Sequence, residues 1–294
     1  MTLPQNLSHF EGKPIPVLDD GHIMLIDVFG NDQTIVDAAR VSYGKGTTRG
    51  SEDRHLIRYL MRHRHTSPFE MCEILIRVRC PIFVFRQWIR HRTANVNEYS
   101  GRYSEMIDGM VATKPDEWRL QSNTNKQGSG NIIDPSLGVL LSKLENEASE
   151  KSREIYQYLL DHGVAREQAR MVIPVSNYTE AYWKIDLHNL FHFLSLRMDS
   201  HAQLEIRQYA NAIAEIVKEW VPNAYEAFED YRLNGMTLTK FDIAGVKALL
   251  KPLALTDPKP FSQLIENATI NAGLNPKSRE GAELAAKLEK LMGV

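Results

Sequence analysis

The sequence predicts an α+β fold: a small twisted sheet packed with helices, and a helical region through the second half. Three observations carry this. Residues 72–78 alternate, with Cys72, Ile74, Ile76 and Val78 on one side and Glu73, Leu75 and Arg77 on the other, the period of a strand with one dry face. Two more strand-like runs lie at 22–29, between Gly21 and Gly30, and at TEAYWKI, 179–185. From about residue 136 onward, long stretches instead read as helices.

Taken in order, the strand at 22–29 is followed by a stretch, 34–43, compatible with a short helix. KGTTRGSED then reads as a loop ending in N-cap chemistry, and the helix from Ser51 carries Leu56, Ile57, Leu60 and Met61 at core spacing. Pro68 makes its continuation through RHRHTSP unfavourable, because the residue before a proline is pushed out of the helical region. After the strand at 72–78, Pro81 starts a helix where a missing N–H costs nothing. Arg86 and Arg90 share a face of it, with Gln87 at i+3 spacing from Arg90, so the residues from Arg90 to Ser100 occupy a helix C-terminus and the loop beyond.

Residues 108–137, rich in Gly, Asn, Ser and Gln, read as a mobile insertion. Helices are expected at 136–162 and 164–173, the latter stopped by Pro174. After the strand TEAYWKI, Asp186 caps a helix through HNLFHFLSLRM, and a long helix covers 201–220. Two proline-bounded helical pieces fill the rest. The expected division is a main domain, 1–235, and a C-terminal helical extension, 236–294, with no residues assignable to chemistry.

The 294 residues, 43% hydrophobic and 24% charged with a net charge of −2, are those of an ordinary soluble globular protein. Nothing global points to nucleic acid or to a membrane. Locally the balance differs: between Arg49 and Arg102 eleven arginines face five acids, which suits a phosphorylated small molecule. Two cysteines are too few for a disulfide framework, and no export signal is visible at the N-terminus, so a cytoplasmic location is expected. Cys72 lies on the dry face of its strand and Cys80 precedes a proline, which makes both packing residues.

The densest chemistry is RHRTANVNEYS, 90–100, led into by the apolar PIFVFRQWI. Arg90 and Arg92 by themselves read as a cationic helix end favoured by the helix dipole. That leaves unexplained why Glu98, Ser100, Gly101 and Arg102 follow so closely. A hydroxyl, a bare backbone permitting close approach and an arginine form a phosphate and sugar cradle. His188 and His192, at i, i+4, share a helical face as in zinc sites, with Asp186 and Asp199 near in sequence; buried polar residues and metal ligands are both open readings.

The spacing Arg-His-Arg, seven residues, Ser resembles the defining motif of the flavin-dependent thymidylate synthases. The likeness extends through AARVSYG at 38–44, HTSPFE at 65–70, FRQWIRHR at 85–92, NEYSGRYS at 97–104, AREQARMVIP at 165–174 and DLHNLFHFLSLRMDSHAQLEIRQYA at 186–210. The resemblance implies reductive methylation of dUMP to dTMP, with 5,10-methylenetetrahydrofolate supplying the carbon, reduced FAD the hydride and NADPH regenerating the flavin. It implies a homotetramer with shared active sites. By similarity Gln87, Trp88, Ile89, Arg90, Glu98, Tyr99, Ser100, Gly101, Arg102, Arg170 and Arg197 hold dUMP. Ser67, Arg90, His91, Arg92, Glu98, Asp186, Leu187, His188 and His192 hold FAD; some family members carry Arg and Asn where His188 and His192 stand. His65 and Tyr103 flank the folate and flavin rings, and Ser42 either approaches FAD or is a helix-end serine. Arg197 is the expected catalytic residue, its guanidinium polarising the uracil without a covalent bond.

Two other classes compete. A nucleic-acid-binding module is suggested by the arginine density, against which stand the overall charge and the lack of a recognition motif. A metal hydrolase on His188, His192 and His201 lacks a Glu after the first histidine and a Cys–His cluster to complete a site.

Overall fold

The computed structural model describes residues 3–41, 53–123, 128–256 and 261–292. Two compact units result, Met1–Leu233 and Asn234–Val294. The first is α+β and contains every residue singled out for chemistry.

Its sheet has five antiparallel strands: β1 (Ile15–Val17), β2 (Gly21–Phe29), β3 (Glu73–Pro81), β4 (Asn95–Glu98) and, later in the chain, a fifth at Tyr178–Asp186. A separate hairpin pairs β5 (Arg119–Gln121) with β6 (Ser129–Ile132), so the strand at Tyr178–Asp186 is β7. The sheet order is β1-β2-β3-β7-β4. In the central register Leu25 and Trp183 flank Ile76, and Ile23 and Ala181 flank Val78. All six side chains are buried. The opposite face is polar, with Arg77 paired to Glu180 at 2.5 Å and Lys184 to Glu73 at 2.9 Å.

Around the sheet lie α1 (Asp32–Arg40), α2 (Asp53–Arg62), α3 (Ser67–Glu70), α4 (Ile82–Trp88), α5 (Pro135–Asp161), α6 (Arg166–Ala169), α7 (Leu187–Arg197), α8 (Leu204–Trp220) and α9 (Pro222–Phe228). In α8, Ile206, Tyr209, Ile213, Ile216, Val217 and Trp220 are all buried, the three-and-four spacing of one helical face. Asp186 caps α7, its carboxylate accepting from Asn189 N at 2.9 Å. Asn31 caps α1 through the backbone N–H groups of Gln33 and Thr34. The second unit consists of α10 (Lys240–Thr256), α11 (Phe261–Asn271) and α12 (Arg279–Met292), with α12 packed on the other two.

Several expectations change. The helix expected at 34–43 spans Asp32–Arg40; Ser42 and Tyr43 lie outside the described residues, as do Ser51 and most of the KGTTRGSED loop. The helix after Pro81 ends at Trp88, so Arg90 lies in the turn beyond instead of sharing a helical face with Arg86. The 164–173 helix is a single turn followed by 3-10 geometry from Arg170 to Val172. Among its described residues the tail holds three helices, not two. The described part of 108–137 is fastened down: Trp118 Nε1 donates to Ser142 at 2.9 Å, Arg119 pairs with Glu205 at 2.6 Å, and Glu145 accepts from Thr113 N at 2.6 Å. Composition marked it as loose, but these side chains tie it to α5 and α8.

Candidate active site

Trp88 is the anchor of the site. Its side chain is fully buried, edge-on to Trp183 at 5.2 Å between ring centroids and in contact with Phe193 at 4.9 Å. Burying an indole of this size contributes up to about 5 kcal/mol at ~25 cal/mol per Å². The helix stops at that anchor, and the cationic stretch leaves from it: His91 N donates to Trp88 O at 3.0 Å. The chain then returns as β4 along β7, and Tyr99 N donates to Glu180 O at 2.8 Å. Sheet pairing on one side and a packed tryptophan on the other therefore hold the motif between them.

Arg197 ends α7 and meets this motif. Its Nε donates to His91 Nε2 at 3.0 Å and its Nη2 to the Gln87 carbonyl at 3.2 Å. The first bond requires His91 to be neutral, with its proton on Nδ1. Burial, then the charge of Arg197, then His192, hold the His91 pKa down to about 4, so the acceptor form prevails at neutral pH. Phe193 lies edge-on to the His91 ring at 4.9 Å, and His192 at 5.7 Å. Burial also lowers the pKa of the half-buried Arg197. The Gln87 side chain reaches away, donating to Gln203 at 2.5 Å.

Two cavities are lined by other candidate residues, and neither Arg197 nor His91 lines either of them. One, of about 350 Å³, is lined in part by Arg86, Ile89, Glu98, Tyr99, Gly101 and Arg170. Glu98 accepts from Thr179 at 2.8 Å, which fixes its carboxylate. A Cβ at Gly101 would run into Met106 Sδ, while Arg170 Cδ would lie in ordinary contact at 3.5 Å, so the glycine makes room for the Met106 side chain. Ser100 Oγ accepts from Arg102 N at 3.3 Å, shaping the turn. The other cavity, of about 290 Å³, is lined by His65, His188 and His192 over an apolar floor of Leu60, Met61, Phe69 and Phe191. Ring-lined walls and imidazole donors fit a flat heteroaromatic group such as a flavin.

The remaining expected residues are placed as follows. Ser67 opens α3, next to Thr66 on the second cavity. Arg90 and Arg92 are exposed. Arg102 pairs with Glu167 at 3.3 Å on the surface, and the backbone carbonyl of Tyr103, itself 82% exposed, accepts from Arg166 at 3.4 Å. The Trp88 and Leu187 side chains are fully buried, so only their backbones are available to a ligand. No residue lines both cavities. Cys72 and Cys80 are buried, and burial pushes the Cys72 thiol up to about 12 and Cys80 well above its ordinary value. Among the described residues no group of three or more His, Cys, Asp and Glu side chains is placed to hold a metal ion. His201 bonds Asp199 at 2.8 Å.

Sequence reasoning did not assign Arg86, Thr179, Arg64 or Arg232 to the site. Arg86 carried a signal, since it precedes Arg90 by one helical turn; Arg232 carried none.

A family model described as thymidylate synthase complementing protein, Thy1, matches residues 24–223. A protein from Thermus thermophilus named flavin-dependent thymidylate synthase is 51% identical over 280 residues, 95% of this chain and 96% of its own. One of the same name from Wolbachia pipientis is 51% identical over 80% of this chain and 83% of its own. Among solved structures, the UMP/dUMP methylase PolB of Streptomyces cacaoi, bound with 5-Br dUMP, matches with a TM-score of 0.66 and 35% identity, over 74% of this chain and 99% of that one. The chain belongs to the Thy1 family of flavin-dependent thymidylate synthases.

Proposed function

We propose that this protein methylates dUMP to dTMP, taking its carbon from 5,10-methylenetetrahydrofolate. The observation that carries the reading is the bond between Arg197 and His91, which fixes a guanidinium beside the Arg-His-Arg segment while both thiols are shut in the core. Uracil C5 is a weak nucleophile, and a buried thiol of raised pKa cannot add at C6 to activate it. A guanidinium hydrogen-bonded to the uracil instead stabilises the negative charge that develops on the ring as C5 attacks the one-carbon unit.

In this reading dUMP occupies the cavity of Ile89, Glu98, Tyr99, Gly101 and Arg170, with Gln87, Arg90, Ser100, Arg102 and the Trp88 backbone around it. Its phosphate carries about two negative charges near neutral pH and meets planar guanidinium forks. Ser67, Arg90, His91, Arg92, Glu98, Asp186, His188, His192 and the Leu187 backbone hold FAD, with His65 and Tyr103 against the rings. FAD, when reduced by NADPH, supplies the hydride. His91 keeps the Arg197 fork in one plane, and Thr179 keeps the Glu98 carboxylate in place.

A homotetramer with shared sites is part of the same reading. The exposed apolar side chains Leu137, Leu140 and Leu144 on α5 support it, as does the separation of the candidate residues into two cavities. The unit Asn234–Val294 acts as a helical extension outside the chemistry. Among the described residues no helix is long and apolar enough to cross a membrane, and two free buried thiols suit a cytoplasmic enzyme.

Denaturing the purified protein and weighing the released chromophore tests the cofactor assignment. FAD released in stoichiometric amount, with its visible spectrum in the native protein perturbed by dUMP, is expected. A colourless protein that binds no added flavin would overturn the reading.

A further inference from the structure

The cavity ringed by His65, His188 and His192 also holds two arginines that the family motifs leave unused. Arg64 and Arg232 both line it, and among its described lining residues there is no acid. Arg64 directly precedes the HTSPFE block, and Arg232 lies beyond residues 24–223, the stretch that the family model matches. Among the described residues neither guanidinium has a hydrogen-bonded or ion-paired partner. Asp230, close to Arg232 in sequence, pairs instead with Arg58 at 2.7 Å. Burial and then the charge of Arg64 lower the pKa of the half-buried Arg232, so the two guanidiniums repel one another. Arg64 also stands where a helix usually ends on glycine. Its φ is 59°, with Arg64 N donating to Met61 O at 3.3 Å and His65 N to Leu60 O at 2.9 Å, the hydrogen bonds that close α2. A long side chain at a glycine position and a pair of like charges with no acid between them both cost stability, and a negative charge in the cavity offsets that cost.

We propose that Arg64 and Arg232 supply the positive charge that stabilises the reduced flavin ring in this cavity. This rests on the reading of the same cavity as the flavin site. Hydride leaves C4 of the NADPH nicotinamide with both bonding electrons and bonds to N5 of the flavin ring. The displaced electron pair settles on N1 and the C2 carbonyl, and no proton accompanies it. Reduction therefore adds one negative charge to the ring while NADPH becomes NADP+. Hydrogen-bond donors that serve both forms equally leave that equilibrium where it is. A cation with no acid beside it favours the reduced form, and a guanidinium stays charged even with its pKa lowered.

The test is the midpoint potential of the bound flavin, measured on the full-length FAD-loaded protein and on three variants. These are Arg64→Gly, which suits the left-handed backbone, Arg232→Gln, and the charge-keeping Arg232→Lys. Sulfite is the second probe: its sulfur lone pair bonds to N5 and leaves the same negative charge on N1 and the C2 carbonyl. Thermal melts and flavin content report the fold and loading of each. Expected for each of the first two variants is a fall in potential of about 30 mV, a tenfold shift in a two-electron equilibrium, and a sulfite Kd raised by a similar factor. Arg232→Lys stays closer to wild type on both. Unchanged potentials in folded, flavin-loaded variants overturn the proposal. So does a loss of FAD affinity with the potential unaltered, which would assign the arginines to the cofactor's pyrophosphate. Wild-type protein that makes dTMP, with variants that keep its potential, sinks the proposal and leaves the function standing. Potentials that fall as expected in a protein that makes no dTMP do the reverse.

Discussion

Arg197 is the residue whose replacement has the most to reveal. A guanidinium has five N–H groups. Arg197 uses one from Nε on His91 and one from Nη2 on the Gln87 carbonyl, leaving three for a ligand in a plane fixed at two points. Arg197→Ala removes all of them. Losing a donor aimed at developing charge costs about 2.7–4 kcal/mol, or roughly 10²–10³ in kcat. The two internal bonds contribute about 1 kcal/mol each to stability, so the fold survives with a modest fall in Tm. Arg197→Lys keeps the charge, but one ammonium cannot reproduce the planar fork, and a loss of at least about tenfold is expected. The assay is dTMP formation at saturating substrates, with flavin content and melting temperature measured on the same preparations. Turnover of Arg197→Ala within tenfold of wild type, with flavin retained, would refute the role. A colourless variant would show instead that Arg197 serves the cofactor.

Three further outcomes follow from the same geometry. Ser100→Ala should cost about 1 kcal/mol in dUMP affinity, read from KM; complete loss of activity would give the hydroxyl a chemical role. Because the His91 pKa is depressed from 6.5 to about 4 in the folded state, its contribution to stability is full above pH 6.5 and declines as pH falls from 6.5 towards 4. The Tm difference between wild type and His91→Gln should therefore shrink over that window, and parallel curves would contradict the neutral-acceptor assignment. Cys80→Ala should lower stability by about 1 kcal/mol and still form dTMP; an inactive, folded variant would restore a thiol mechanism.

Much of the sheet was legible because its strands have one dry face. Cys72, Ile74, Ile76 and Val78 alternate with polar residues in the sequence and are all buried in the structure. The cap at Asp186 was an equally local signal, whereas the helix after Pro81 was read as carrying Arg90 and stops at Trp88. What escaped depends on tertiary contact. Asn95–Glu98 looked like loop because its NVNE sequence is polar, and it becomes a strand only by pairing with Lys184 to Ala181. The 108–137 stretch is rich in loop formers, yet Trp118 and Arg119 fasten it to helices further along the chain. For the site, the motif located the cationic segment, but not that His91 and Arg197, 106 residues apart, would meet through a hydrogen bond. Arg232 gave no signal in the sequence, since only the fold brings it to the cavity that Arg64 also lines.

The most direct measurement is mass-spectrometric detection of dTMP from dUMP with methylenetetrahydrofolate, FAD and NADPH, leaving out one component at a time. Expected is product from the complete mixture, with dUMP and the folate each indispensable, one turnover at most when NADPH is withheld, and none from flavin-stripped protein until FAD is restored. A folded, flavin-loaded protein that leaves dUMP unmethylated in the full mixture would contradict the assignment.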